Sequence, residues 1–98
     1  MTITKTKKDK HLTLALEGSL DKTTAADLEA VISNELDGIQ SLTFDMSGLE
    51  YISSAGLRAL LFAQQTMSGQ GSMTVKNCSD VVMEIFTVTG FTEVMNIQ

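Results

Sequence analysis

The sequence predicts an α/β fold: a mixed, mostly parallel sheet of four or five strands, with helices packed mainly on one face. Three observations carry this. Segments with apolar residues at every second position alternate along the chain with segments whose apolar residues recur at helical spacing. Strands that alternate with helices of about 10–15 residues need crossovers, and crossovers make successive strands parallel. The best-defined strand alternates apolar and polar residues instead of being apolar throughout, so one face of the sheet is covered more than the other.

The elements follow in order. Ile3 belongs to a leading strand, with Lys8-Asp9-Lys10 as the turn after it. In H-L-T-L-A-L, from His11 to Leu16, three leucines fall on one face of a half-buried strand. From Thr24 the period changes: Ala25, Leu28, Val31, Ile32 and Leu36 mark a helix, with Thr24 at its N-cap and Asp27 three residues on. Asp37-Gly38 ends it, glycine supplying the left-handed terminal position.

Ser41 to Asp45 is the next strand, with Leu42 and Phe44 on one face, and Ser47-Gly48-Leu49-Glu50 reads as a turn. A second helix begins after Ile52-Ser53, its core face marked by Leu57, Leu60 and Leu61. Ser68 to Gly71 is a loop, and Ser72 to Lys76 a strand. Ser79 caps a third helix carrying Val82, Ile85 and Phe86, which stops at Gly90. The tail is strand-like around Val94 and Ile97. The order is β-β-α-β-α-β-α-β.

Ninety-eight residues fit one domain, residues 1–98, and no linker or repeat divides them. Apolar residues make up 43% and charged residues 19%, which suits neither a disordered tail nor a membrane protein. No apolar run approaches the ~20 residues of a spanning helix, and no apolar stretch follows the basic start as a secretory signal requires. One cysteine, Cys78, forms no internal disulfide, so a cytoplasmic location is the simplest expectation.

The net charge is −5, and four of the seven bases (Lys5, Lys7, Lys8 and Lys10) lie in the first ten residues. Elsewhere Lys22, Arg58 and Lys76 face every acid of the chain except Asp9. Such a body repels phosphate backbones and anionic lipid, so neither nucleic acid nor a membrane is the expected partner. With one His, one Cys and no Trp, the chain offers little for metal or redox chemistry. No cofactor, metal or small-molecule substrate is expected, and a protein-binding module is favoured over an enzyme.

The informative stretch is Asp45 to Arg58, D-M-S-G-L-E-Y-I-S-S-A-G-L-R. A serine pair sits where a helix begins. Helix N-termini present unpaired N–H groups and a partial positive charge. The commoner role of a serine there is the N-cap. One cap suffices, so the pair leaves one hydroxyl over, and a helix start accommodates a phosphate well.

This stretch resembles the signature of STAS domains, the family of bacterial anti-sigma factor antagonists. E-G-S-L-D-K-T-T-A-A-D-L, Glu17 to Leu28, is similar to the family's strand–G-x-L-D–helix segment. C-S-D-V-V-M-E-I-F-T-V-T-G-F, Cys78 to Phe91, resembles its late helix. The three segments come in family order and span most of the chain.

The resemblance implies a STAS-like fold and a switch. The unphosphorylated antagonist binds an anti-sigma factor that is also a serine kinase, which frees the sigma factor. Phosphorylation at the helix start ends the complex, and a PP2C-type phosphatase restores it. The family's acceptor lies two positions before the Gly of G-L, which here is Ser54, with Ser53 the alternative. Ser53 stands where the family often has Asp. The implied partner surface comprises Asp21, Ser53, Ser54, Ala55, Gly56, Leu57 and Arg58. A STAS scaffold subunit of a lipid-transport ABC complex or a stressosome-like assembly is the alternative function.

The remaining candidates have plainer explanations. Asp21 caps a turn as readily as it meets a partner, and Asp45 reads as a turn-capping carboxylate. Arg58 and Glu50 read as solvated side chains, Tyr51 as partly buried, and Cys78 as buried rather than reactive. Gly56 sits in the first turn of a helix, where glycine is about 1 kcal/mol worse than alanine. Close approach of another backbone would explain it. A nucleophilic role for the serine pair lacks both a G-x-S-x-G setting and a nearby histidine, His11 lying in an early strand.

Overall fold

The two N-terminal strands, β1 (Thr2–Lys8) and β2 (His11–Leu20), form an antiparallel hairpin in the computed structural model, which describes residues 1–98. Asp9 turns the hairpin with φ 56°, a left-handed conformation that Asp tolerates better than most residues. Then follow α1 (Lys22–Glu35), β3 (Ser41–Ile52), α2 (Ser54–Ser68), β4 (Ser72–Lys76), α3 (Asp80–Thr89), a 3-10 turn (Phe91–Glu93) and β5 (Asn96–Ile97). The sheet order is β1-β2-β3-β4-β5, parallel from β2 onward. The element order and the mixed, mostly parallel sheet are those the sequence predicts.

Right-handed crossovers between adjacent parallel strands put all three helices on the same face. Burial agrees. Leu12, Leu14 and Leu16 of β2, Leu42, Phe44 and Met46 of β3, and Met73 and Val75 of β4 are buried. Their alternate neighbours Thr13, Ala15, Thr43, Asp45 and Thr74 are half-exposed. Register lines up Leu14, Phe44 and Val75 as one apolar row beneath the helices. Ala25, Leu28 and Ile32 of α1, Leu57, Leu60, Ala63 and Met67 of α2, and Val82 and Phe86 of α3 close the core, which contains no buried polar side chain.

Three boundaries differ from expectation. The N-cap of α1 is Asp21, not Thr24. Asp21 reaches the amides of Thr23 and Thr24, and Thr24 becomes the third helical residue of a capping box. The Ser47–Glu50 turn does not form, and β3 runs on to Ile52. The local chemistry of Ser-Gly favours a turn, but Met46, Leu49 and Ile52 bury in the core and hold the backbone extended against a longer β2. Pairing slips on the way, between Ala15 and Glu17 and between Gly18 and Ser19. A β-carbon on Gly48 would lie 2.6 Å from Glu17 Cγ and 3.3 Å from Glu17 Cα, so a larger residue at the first bulge would have to push the Glu17 side chain aside. Val94 lies outside the last strand, because after the left-handed Gly90 cap the chain makes a 3-10 turn first.

Parallel β2, β3 and β4 deliver their C-termini to one edge of the sheet, and α1, α2 and α3 all start there. In open α/β sheets this edge is where ligands are bound.

Candidate functional site

The serine pair and Asp21 come together through two strand ends. Leu20, the last residue of β2, pairs in register with Ile52, the last of β3. The Ser53 amide crosses the gap and donates to the Leu20 carbonyl at 2.8 Å. Asp21 and Ser53 therefore follow directly from two paired residues, and the starts of α1 and α2 stand side by side.

Each start is capped differently. Asp21 Oδ1 accepts from the amides of Thr23 and Thr24, both at 3.0 Å, and lies 3.1 Å from the Thr24 hydroxyl. That hydroxyl accepts in turn from the Asp21 amide at 2.8 Å and can donate to the Ser19 carbonyl at 2.9 Å. The Thr24 amide, then the Thr24 hydroxyl, hold the exposed Asp21 carboxyl below the usual carboxylate range. The carboxylate stays charged at the rim of the site.

Ser53 is the N-cap of α2. Its backbone is extended (φ −92°, ψ 175°), its Oγ accepts from the Gly56 amide at 3.3 Å, and its carbonyl accepts from the Leu57 amide at 2.9 Å. Ser53 is half-buried. Ser54, the first helical residue, is exposed, and its hydroxyl makes no protein hydrogen bond. The pair divides the work: one hydroxyl closes the helix, the other faces solvent. No acidic side chain lies in the first turn of α2, so the positive end of its dipole is not neutralised from within.

Around them, Ala55 is half-buried, Gly56 and Leu57 are buried, and Arg58 projects outward one turn after Ser54. A β-carbon on Gly56 would meet Leu20 Cγ at 2.7 Å, Ile52 Cγ1 at 2.8 Å and the Leu20 carbonyl oxygen at 2.9 Å. Two packed side chains and the Leu20 carbonyl together leave no room for a β-carbon in this helical turn. Tyr51, expected to be partly buried, is 50% exposed, with Glu50 exposed beside it. The bulges in β3 set the register that leaves Tyr51 outside, and hydrophobicity alone could not reveal this.

Asp45 lies one strand along. Its carboxylate accepts from the Ser47 amide and the Asn77 side-chain amide, both at 3.1 Å. The Asn77 amide first, then that of Ser47, hold this carboxyl below its ordinary range. It ties the β3 bulge to the exit of β4, as a capping carboxylate would. Cys78 is half-buried, and burial pushes its thiol up, away from the reactive thiolate. His11 is exposed at the opposite end of β2. No helix is long and apolar enough to cross a membrane.

Comparison with known proteins follows the same lines. The family model described as "Mlab, STAS domain" matches residues 3–97. BtrV of Bordetella bronchiseptica, provisionally named an anti-sigma factor antagonist, is 37% identical over 93 residues, covering 93% of this chain and 80% of that protein. The crystal structure of an anti-sigma factor antagonist from Mycobacterium paratuberculosis superposes with a TM-score of 0.87 at 22% identity, over 98% of this chain and 83% of that one. The Bacillus cell fate determinant SpoIIAA in its phosphorylated form superposes with a TM-score of 0.78 at 17% identity, over 99% and 91%. At these identities the two structures speak for the fold.

Proposed function

The chain belongs to the STAS domain family of anti-sigma factor antagonists, and from that premise we propose that it is a phosphorylation-controlled antagonist. Its unphosphorylated form binds an anti-sigma factor with serine kinase activity and releases the sigma factor. Phosphate on Ser54 ends that complex, and a PP2C-type phosphatase restores it, all in the cytoplasm. The observation that supports this most is the division of labour at the start of α2: Ser53 holds the cap while Ser54 is exposed with an unengaged hydroxyl.

The physical chemistry of the switch is local. A phosphate adds about −1.5 to −2 charges and three acceptor oxygens at one point. The free dipole end of α2 softens this within the chain, so the fold survives. A partner that covers Ser54 meets a hydrated dianion instead, and burying it unpaired costs several kcal/mol, or roughly tens to thousands-fold in affinity. Ser53 replaces the usual Asp without loss of the cap, since both side chains rank high at that position. It does remove one negative charge from beside the acceptor. Asp21, Ser53 and Arg58 form the proposed contact surface with Ser54, backed by half-buried Ala55 and buried Gly56 and Leu57.

The test is incubation with a cognate anti-sigma factor serine kinase and ATP, read by intact mass and by binding. One phosphate on the wild type, none on Ser54→Ala, and loss of complex on phosphorylation are expected. Phosphate on Ser54→Ala as on wild type would sink the acceptor assignment. Binding indifferent to the state of Ser54, with a transporter subunit as the partner, would make the chain a scaffold instead.

A further inference from the structure

α3 is apolar on two sides. Val82 and Phe86 enter the core. A second stripe, Val81, Ile85 and Val88, follows the i, i+4, i+7 spacing around the outer side. Val88 is 77% exposed, Val81 54% exposed, and Ile85 half-buried between them. Val88 is the most exposed large apolar side chain of the protein. The stripe spans about 10 Å, or two helical turns, a length that suits another helix laid across it.

The charges of α3 and of the tail after it have one sign. From Cys78 to the C-terminus the charged residues are Asp80, Glu84 and Glu93, with no lysine or arginine. Glu84 and Asp80 are exposed on α3 itself. The nearest base in sequence, Lys76, pairs in register with Asp45 on the uncovered face of the sheet, away from the helices.

We propose that this outer face of α3, through residues other than those of the Ser54 site, docks a basic amphipathic helix of a protein partner. Apolar residues of the partner cover Val81, Ile85 and Val88, and its lysines or arginines meet Asp80 and Glu84. A second copy of this chain is disfavoured by the same charges. Antiparallel pairing of two α3 helices about Ile85 would bring the two Glu84 carboxylates together.

The experiment is a titration of the ¹⁵N-labelled full chain with two short helical peptides followed by NMR. Both carry the same leucine stripe, one with lysines and the other with glutamates on the polar face. The lysine peptide is expected to shift the amides around Val81, Ile85 and Val88, more weakly at high salt. The glutamate peptide is expected to leave them unmoved. Val88→Ser keeps the charge and should weaken lysine-peptide binding about tenfold. Because Val88 is exposed, this variant should fold as wild type does. Equal response to both peptides overturns the proposal, and so does a lysine-peptide footprint away from α3. Unchanged affinity in Val88→Ser also overturns it, as does dimerisation through α3 in sedimentation. None of these outcomes depends on whether Ser54 is phosphorylated.

Discussion

The carbonyl oxygen of Leu20 would lie 2.9 Å from a β-carbon on Gly56, and the same carbonyl accepts the Ser53 amide at 2.8 Å. One backbone group at the end of β2 therefore fixes where α2 begins and how closely its first turn can approach. Gly56→Ala gains helix propensity, about 1 kcal/mol, but forces a contact against backbone and two packed side chains. The expected net result is destabilisation of about 1–2 kcal/mol, together with a displaced start of α2. Urea unfolding measures the first, and amide shifts at Ser53 and Ser54 the second. A variant as stable as wild type would show that the contact relaxes freely.

The two serines should separate cleanly. Ser53→Ala removes the cap of α2 and should lower stability by about 1 kcal/mol. Ser54→Ala, at an exposed position without a partner, should stay within about 0.5 kcal/mol of wild type. Phosphate uptake should follow the reverse pattern, retained in Ser53→Ala and lost in Ser54→Ala. Thermal melts beside intact mass after kinase treatment read both properties on the same samples.

Ser54→Asp should leave the fold intact and weaken binding of the anti-sigma factor by tenfold or more. Calorimetric titration measures it. Wild-type affinity in this variant would remove charge exclusion as the mechanism, even if Ser54 remains the acceptor.

Tyr51 is a large, half-exposed aromatic two residues before the α2 cap. Tyrosines in such positions carry a disproportionate share of interface energy. Tyr51→Ala should reduce affinity for the partner by roughly tenfold without changing the melting temperature. An unchanged affinity would place Tyr51 outside the interface.

Acid should weaken the protein through Asp21 and Asp45. Both carboxyls sit below their ordinary value of 3.8, Asp21 chiefly through the Thr24 amide and Asp45 chiefly through the Asn77 side chain. The unfolded chain therefore binds these protons first as pH falls. The stability they contribute is complete above the ordinary carboxylate range and is lost as pH drops through the lower folded values. Unfolding midpoints for these groups should hold from neutral to about pH 5 and fall below about pH 4. Asp21→Asn keeps a capping side chain but no longer titrates, so its acid-side decline should be shallower. An identical decline would assign the acid sensitivity elsewhere.

Periodicity made the elements legible. Leu12-Leu14-Leu16 and Ala25-Leu28-Ile32 bury as their spacing requires, and Ser79 and Gly90 bound α3 as read. The boundaries that failed are those where distant residues compete with local chemistry. Thr24 is a reasonable cap taken alone, yet Asp21 binds the same helix end better. Ser47-Gly48 is a reasonable turn taken alone, yet β2 supplies a strand for it to pair with. The serine pair could be found from sequence, whereas the assignment of cap to Ser53 and free hydroxyl to Ser54 needed the hydrogen bond to Gly56.

By itself the sequence determined the alternation of strands and helices, the uneven covering of the sheet, the acidic body and the family of the chain. The first three depend on spacing and composition, which are local or additive, and the family on the likeness of its motifs. Tertiary structure alone decided that Leu20 and Ile52 end side by side, and so set Asp21 against the serine pair. It also turned Tyr51 and Val88 outward although both are large and apolar enough to bury. Strand register and helix rotation follow from how the whole core packs, and no single segment carries that information.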